Sequence, residues 1–65
     1  MDGTRLDAMI KESGYKKQYI AERLGITSTG LNYKLQGKTD FKLREAIMIK
    51  MLLNMSDKVF FDVFI

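Results

Sequence analysis

Three glycines, Gly14, Gly25 and Gly37, fall 11 and then 12 residues apart in a chain of 65 residues that contains no proline. Each follows a stretch whose apolar residues recur at three- and four-residue spacing, and a glycine there ends a helix because it takes a positive φ without steric penalty. The pattern predicts short helices joined by tight turns. A chain of about 60 residues buries only about 60% of its unfolded surface, so residues 1–65 form a single domain. A hydrophobic share of 46% against 29% charged residues is that of a globular fold, not of a disordered segment.

The expected fold class is all-α, a compact bundle of about five short helices. The first is expected from Arg5 to Ser13, with Thr4 as N-cap, Asp7 completing an imperfect capping box, and Leu6, Met9 and Ile10 on one face. The second runs from Lys17 to Leu24 and buries Ile20 and Leu24. The third runs from Ser28 to Gln36, is capped by Thr27 and buries Leu31 and Leu35. A fourth follows Asp40 and reaches Leu53, apolar around most of its circumference, which marks a central helix or one with a second partner surface. A last turn follows a cap at Ser56, from Asp57 to Asp62, and the chain ends on Val63-Phe64-Ile65, readable as helix or as a short extended tail.

With no cysteine and no histidine, the chain has no disulfide framework, no thiolate or imidazole for zinc, and no Ser-His or Cys-His nucleophile. Glu12, Glu22 and Glu45 lie on separate predicted helices without paired spacing, so no enzyme and no cofactor is expected. The longest apolar run, Ala46 to Ile49, is far short of the roughly 20 residues of a membrane span, and Met1-Asp2-Gly3 has no secretory character; a cytoplasmic protein without membrane contact is expected.

The net charge of +3 is unevenly spread. Residues 16–44 hold seven of the eleven basic residues and two of the eight acidic ones. A local positive excess of this kind suits a polyanion, although lysines and arginines on helices also serve as a solvated face.

The same region carries the stretch Lys17-Gln18-Tyr19-Ile20-Ala21-Glu22-Arg23-Leu24-Gly25-Ile26-Thr27-Ser28-Thr29-Gly30-Leu31-Asn32-Tyr33-Lys34-Leu35-Gln36-Gly37. A small residue, Ala21, stands where two helices would cross; Gly25 supplies the turn, Ile20, Leu24, Ile26 and Leu31 an apolar wedge, and Thr27 a cap. Together they specify a helix-turn-helix. The stretch resembles the helix-turn-helix of the Cro and repressor DNA-binding domains of temperate phages, over roughly residues 4–60. Residues Leu31 to Phe41 look like the L-x-x-K-L-x-G-K-x-x-F form of small Cro-like proteins, and Leu52-Leu53-Asn54-Met55-Ser56 resembles the end of their fourth helix. Lys16 stands where that group has a capping Ser, Thr or Asn, and Gly30 stands inside the third helix, where it costs about 1 kcal/mol relative to alanine.

The resemblance implies a sequence-specific transcriptional repressor bound to double-stranded operator DNA, with the third helix in the major groove. With Leu31 and Leu35 inward, the opposite arc holds Thr29, Tyr33 and Gln36. Ser28, Thr29, Asn32 and Tyr33 are the expected base contacts, Asn32 suiting a bidentate adenine contact; for Ser28 and Asn32 an ordinary cap and a solvated amide stand as alternatives. Lys17, Gln18, Thr27 and Lys38 are the expected phosphate contacts, with Lys16, Lys34 and Lys42 behind them. Reading two half-sites needs a homodimer, and Phe60, Val63, Phe64 and Ile65 are the expected contact, while Phe60 and Phe61 folding back on the first and fourth helices is the competing arrangement. The rival function is that of an antirepressor or modulator that uses the same fold to bind another regulatory protein.

Overall fold

The computed structural model describes residues 1–65, which form five helices: α1 (Gly3–Ser13), α2 (Lys17–Leu24), α3 (Ser28–Leu35), α4 (Leu43–Leu52) and α5 (Asp57–Phe64). There is no strand, and no helix is long and apolar enough to cross a membrane. Hydroxyl caps fix two of the starts. Thr27 Oγ1 accepts the Gly30 N–H at 3.0 Å and Ser56 Oγ accepts the Val59 N–H at 3.2 Å. The first helix departs from expectation. Its cap is Asp2, whose Oδ1 accepts the Arg5 N–H at 3.0 Å, and not Thr4; Asp7 is turned to lysines rather than back to the helix start.

That earlier start has a packing reason. A Cβ on Gly3 would lie 2.0 Å from the Leu35 carbonyl oxygen, so only glycine lets the first turn of α1 close on the end of α3. The Asp2 N–H donates to the Val63 carbonyl at 2.7 Å, which ties the same point to α5. The turn from α2 to α3 is the expected one: Gly25 has φ 74°, and the Ile26 N–H reaches back to the Ala21 carbonyl at 3.0 Å. At the end of α4 the corresponding left-handed residue is Asn54, φ 54°, the one position where the chain uses a side-chain-bearing residue in that role.

The core is drawn from every helix. Leu6 and Ile10 of α1, Ile20, Ala21 and Leu24 of α2, Leu31 and Leu35 of α3, Ile49 of α4 and Val63 of α5 are buried together with Met55 from the loop before α5. Ala21 is 1% exposed, as a residue at a helix crossing must be. α3 packs on both α1 and α2, α4 on α2, and α5 on α1.

At the C-terminus the helix continues to Phe64, and the extended alternative is not taken. Val59, Phe60, Val63 and Phe64 share one face of a helix, whereas a strand would send Val63 and Phe64 to opposite sides. Val63 is fully buried, so it belongs to the core and not to a subunit contact; Phe60 and Phe64 are half-buried against that core, while Phe61 and Ile65 are exposed. α4 is likewise one-sided. Ala46 and Ile49 enter the core, but Leu43, Ile47 and Met51, four residues apart, form an exposed stripe.

Gly3→Ala and Ala21→Leu are each expected to destabilise the fold by about 1 to 3 kcal/mol through overpacking. In a domain of this size that lowers the melting temperature by about 4–8 °C per kcal/mol, readable by circular dichroism. Melting curves that superimpose on the parent's for both variants contradict the close approach of α1 to α3 and the crossing at Ala21.

Candidate nucleic-acid interface

α3 is eight residues long and is anchored through Leu31 and Leu35, which leaves a polar face to solvent. Ser28, Thr29, Tyr33 and Gln36 are exposed on it, and Tyr33 remains 46% accessible despite its size. Three of the four residues expected at base edges therefore stand open. The fourth, Asn32, is half-buried and already engaged: its Oδ1 accepts from the Lys17 ammonium at 3.4 Å. Gly30 fits the cap beside it, since a Cβ there would come within 3.2 Å of Thr27 Oγ1.

The expected phosphate contacts divide in the same way. Lys38 and Gln18 are exposed, and the Lys38 ammonium sits 5.1 Å from the centre of the Tyr33 ring, so cation and aromatic share one edge of α3. Thr27 is exposed and spends an oxygen lone pair on the Gly30 N–H, which leaves its proton to donate. The N-terminus of α2 has no side-chain cap, because Lys16 can accept nothing there. Lys17 is not a free cation. Its ammonium lies 2.7 Å from Asp7 Oδ1, an oxygen shielded from solvent, while Lys11 holds Oδ2 at 3.2 Å. Those two ammonium groups keep the Asp7 carboxyl below its ordinary pKa, Lys17 more than Lys11.

Lys34, expected to reach phosphate or to stand in solvent, does neither. Its side chain is 13% exposed and donates to Glu45 Oε1 at 2.9 Å and to the Asp40 carbonyl at 3.0 Å. Glu45 is 1% exposed, and the same oxygen accepts the Lys42 backbone N–H at 2.8 Å, half of a capping box for α4. Burial alone pushes the Glu45 carboxyl up, but the Lys42 N–H and the Lys34 ammonium outweigh it and hold the pKa below its ordinary value.

Asp7 and Glu45 thus take roles that the residue order did not assign them: Asp7 was expected in a capping box, and Glu45 only as an isolated carboxylate. Glu45 three residues after Lys42 was open to recognition as the end of a capping box. The pairing of Asp7 with Lys17 joins different helices, and no spacing along the chain shows it.

Beyond α3, a second feature is apolar. Phe41 meets Phe64 edge to face with ring centres 5.7 Å apart, and Phe60 packs on Phe64 with the rings tilted by 37° and their centres 5.1 Å apart. They line a groove of about 400 Å³ whose rim includes Leu43 and Ile65. No protein-family model matches the chain, and neither a curated protein nor a solved structure matches it significantly.

Both carboxyls are depressed in the folded state, so their contribution to stability is present above the ordinary carboxylate pKa and is lost as the pH falls through the folded values. The melting temperature is expected to be flat from neutral pH down to about 5 and to drop below about 4. Glu45→Gln strands the Lys34 ammonium and is expected to cost about 3 to 5 kcal/mol at neutral pH, with a shallower acid dependence than the parent. Equal slopes for the two proteins in a pH series of melts rule out Glu45 as a source of the acid sensitivity.

Proposed function

We propose that this protein is a sequence-specific DNA-binding regulator that represses transcription by occupying operator DNA, with α2 and α3 acting as a helix-turn-helix and α3 lying in the major groove. The observation that carries the reading is the open polar face of α3, Thr29, Tyr33 and Gln36, bordered by the exposed Lys38 and backed by the fully buried Leu31. A helix so anchored presents side chains to base edges without disturbing its own core. Ser28, Thr29 and Tyr33 read bases, with Asn32 beside them; Lys38, Gln18 and the Thr27 hydroxyl hold phosphates. Lys17 adds less than a full charge because Asp7 offsets it.

In this reading the protein acts as a homodimer on DNA, two copies of α3 lying about 34 Å apart. The surface for the second copy is the apolar one around Phe60, Phe64 and Ile65 together with the Leu43, Ile47 and Met51 stripe; Ile65 is 77% exposed and Leu43 73%. The kinship to temperate-phage regulators proposed here rests on the sequence motif. The same apolar surface also favours the rival reading, a modulator that binds another regulatory protein.

Duplexes selected from random DNA, followed by titration at several salt concentrations, decide between them. For a DNA-binding protein log K falls by about 0.9 per phosphate neutralised, and Lys38→Ala flattens that slope by about one while Lys17→Ala flattens it less. Thr29→Ala and Tyr33→Ala are expected to keep the melting temperature, to lose about 1 to 3 kcal/mol on the selected duplex, and to bind unrelated duplex as the parent does. An affinity indifferent to salt sinks the DNA reading and favours the protein partner.

A further inference from the structure

Asp7 reaches the flank of α3 because of a glycine. The close approach of Gly3 to the Leu35 carbonyl sets the first turn of α1 on the end of α3, and Asp7 follows one helical turn later on the same face of α1. Between the two helices opens a cleft of about 410 Å³ lined by Asp7, Lys17, Asn32 and Gln36. Gln36 is exposed and belongs to the open face of α3, so Lys17 stands at the border of that face. Its ammonium lies 2.7 Å from Asp7 Oδ1, an oxygen with no contact to solvent, while Lys11 holds Oδ2 at 3.2 Å. Lys38, at the other end of α3, forms no ion pair and rests beside the Tyr33 ring. Two lysines thus border α3 with different freedom. An ammonium has three protons, so Asp7 leaves Lys17 a donor for a phosphate; what Asp7 removes is reach and charge. The carboxylate tethers the ammonium inside the cleft and repels the same phosphate that the ammonium attracts.

We propose that Asp7 is a built-in restraint on DNA affinity: it holds Lys17 back from the phosphate backbone, and its removal makes the protein bind every duplex more tightly. The inference rests on the DNA-binding reading above and gives Asp7, which touches no DNA in that reading, the part of a positioning residue. Binding to unrelated DNA is almost wholly electrostatic. A lysine restrained at the edge of α3 therefore keeps charge alone from retaining the protein on such DNA.

Titration of a selected and an unrelated duplex over a range of salt concentrations tests the restraint. Asp7→Asn is expected to raise the affinity for both duplexes by about threefold to tenfold at 0.1 M salt, and to steepen the fall of log K with log salt by about half to one, the effect of one further phosphate neutralised. In a Lys17→Met background the same substitution is expected to lose most of that gain. Asp57→Asn removes a carboxylate from another pair between helices, that with Lys50, and is expected to leave affinity and slope as they are. Circular dichroism melts establish that each variant is folded. Lys17→Met alone, expected to flatten the slope less than Lys38→Ala does, keeps the comparison decisive even if Asp7→Asn unfolds. A wild-type protein whose binding ignores salt overturns the DNA reading and this inference with it. With salt-dependent binding in the wild type, three results overturn the inference alone: a folded Asp7→Asn with the parent's affinity, an equal gain from Asp57→Asn, or a Lys17→Met slope as flat as that of Lys38→Ala.

Discussion

The carboxylate of Glu45 sits 1% exposed in a core that is otherwise apolar, and the join between the end of α3 and the start of α4 depends on how it is satisfied. A buried charge without partners costs more than a domain of this size can tolerate. Glu45 has two donors on one oxygen, the Lys42 backbone N–H from the start of its own helix and the Lys34 ammonium from the last turn of α3. Lys34 in turn donates to the Asp40 carbonyl and passes 5.8 Å from the Phe41 ring, so one lysine joins α3, the 36–42 connection and α4. Such a pair gives little net stability over an apolar replacement, since desolvation offsets attraction. Its worth lies in geometry. If the end of α3 moves away from the start of α4 a charge is stranded, and that penalty holds the two ends together.

A second ion pair holds α3 at its other flank. Asp7 and Lys17 join α1 to α2, and Lys17 extends to Asn32 of α3. With side chains about a third exposed, this pair is screened and contributes modestly to stability. Leu31, Lys34 and Leu35 are committed to the fold and Asn32 is half-buried beside Lys17, while Ser28, Thr29, Tyr33 and Gln36 stay free. The division explains why the positive excess of residues 16–44 overstates what the surface offers. Lys34 is spent inside, Lys17 is partly offset, and Lys16, Arg23, Lys38, Lys42 and Arg44 carry the exposed charge.

The apolar residues are shared out by a similar limit. A domain of 65 residues has too little interior to bury all that α4 and α5 carry. Ile49, Ala46 and Val63 take the inner positions; Phe41, Phe60 and Phe64 pack on one another at the boundary, and Leu43, Ile47, Met51 and Phe61 remain outside. Exposed apolar residues spaced a helical turn apart on α4, next to the aromatic groove at α5, are surface that the fold leaves uncovered.

Helix number, the turn at Gly25, the caps at Thr27 and Ser56 and the inward Leu31 and Leu35 were legible in the residue order, because each depends on neighbours within about four positions. So was the exposed face of α3, which periodicity places opposite its core residues. What lay beyond reach was every feature that joins residues distant in sequence. The start of α1 at Asp2 follows from the close approach of Gly3 to Leu35; the burial of Val63 follows from α5 packing on α1; and the capture of Lys17 by Asp7 and of Lys34 by Glu45 follows from helices brought side by side. A lysine on an amphipathic helix carries no local mark of whether its charge will meet solvent, a phosphate or a carboxylate from another helix. Sequence therefore determined the helices and the face that α3 presents, and tertiary structure alone decided which charges that face retains, because pairing across helices is set by the distances that packing creates.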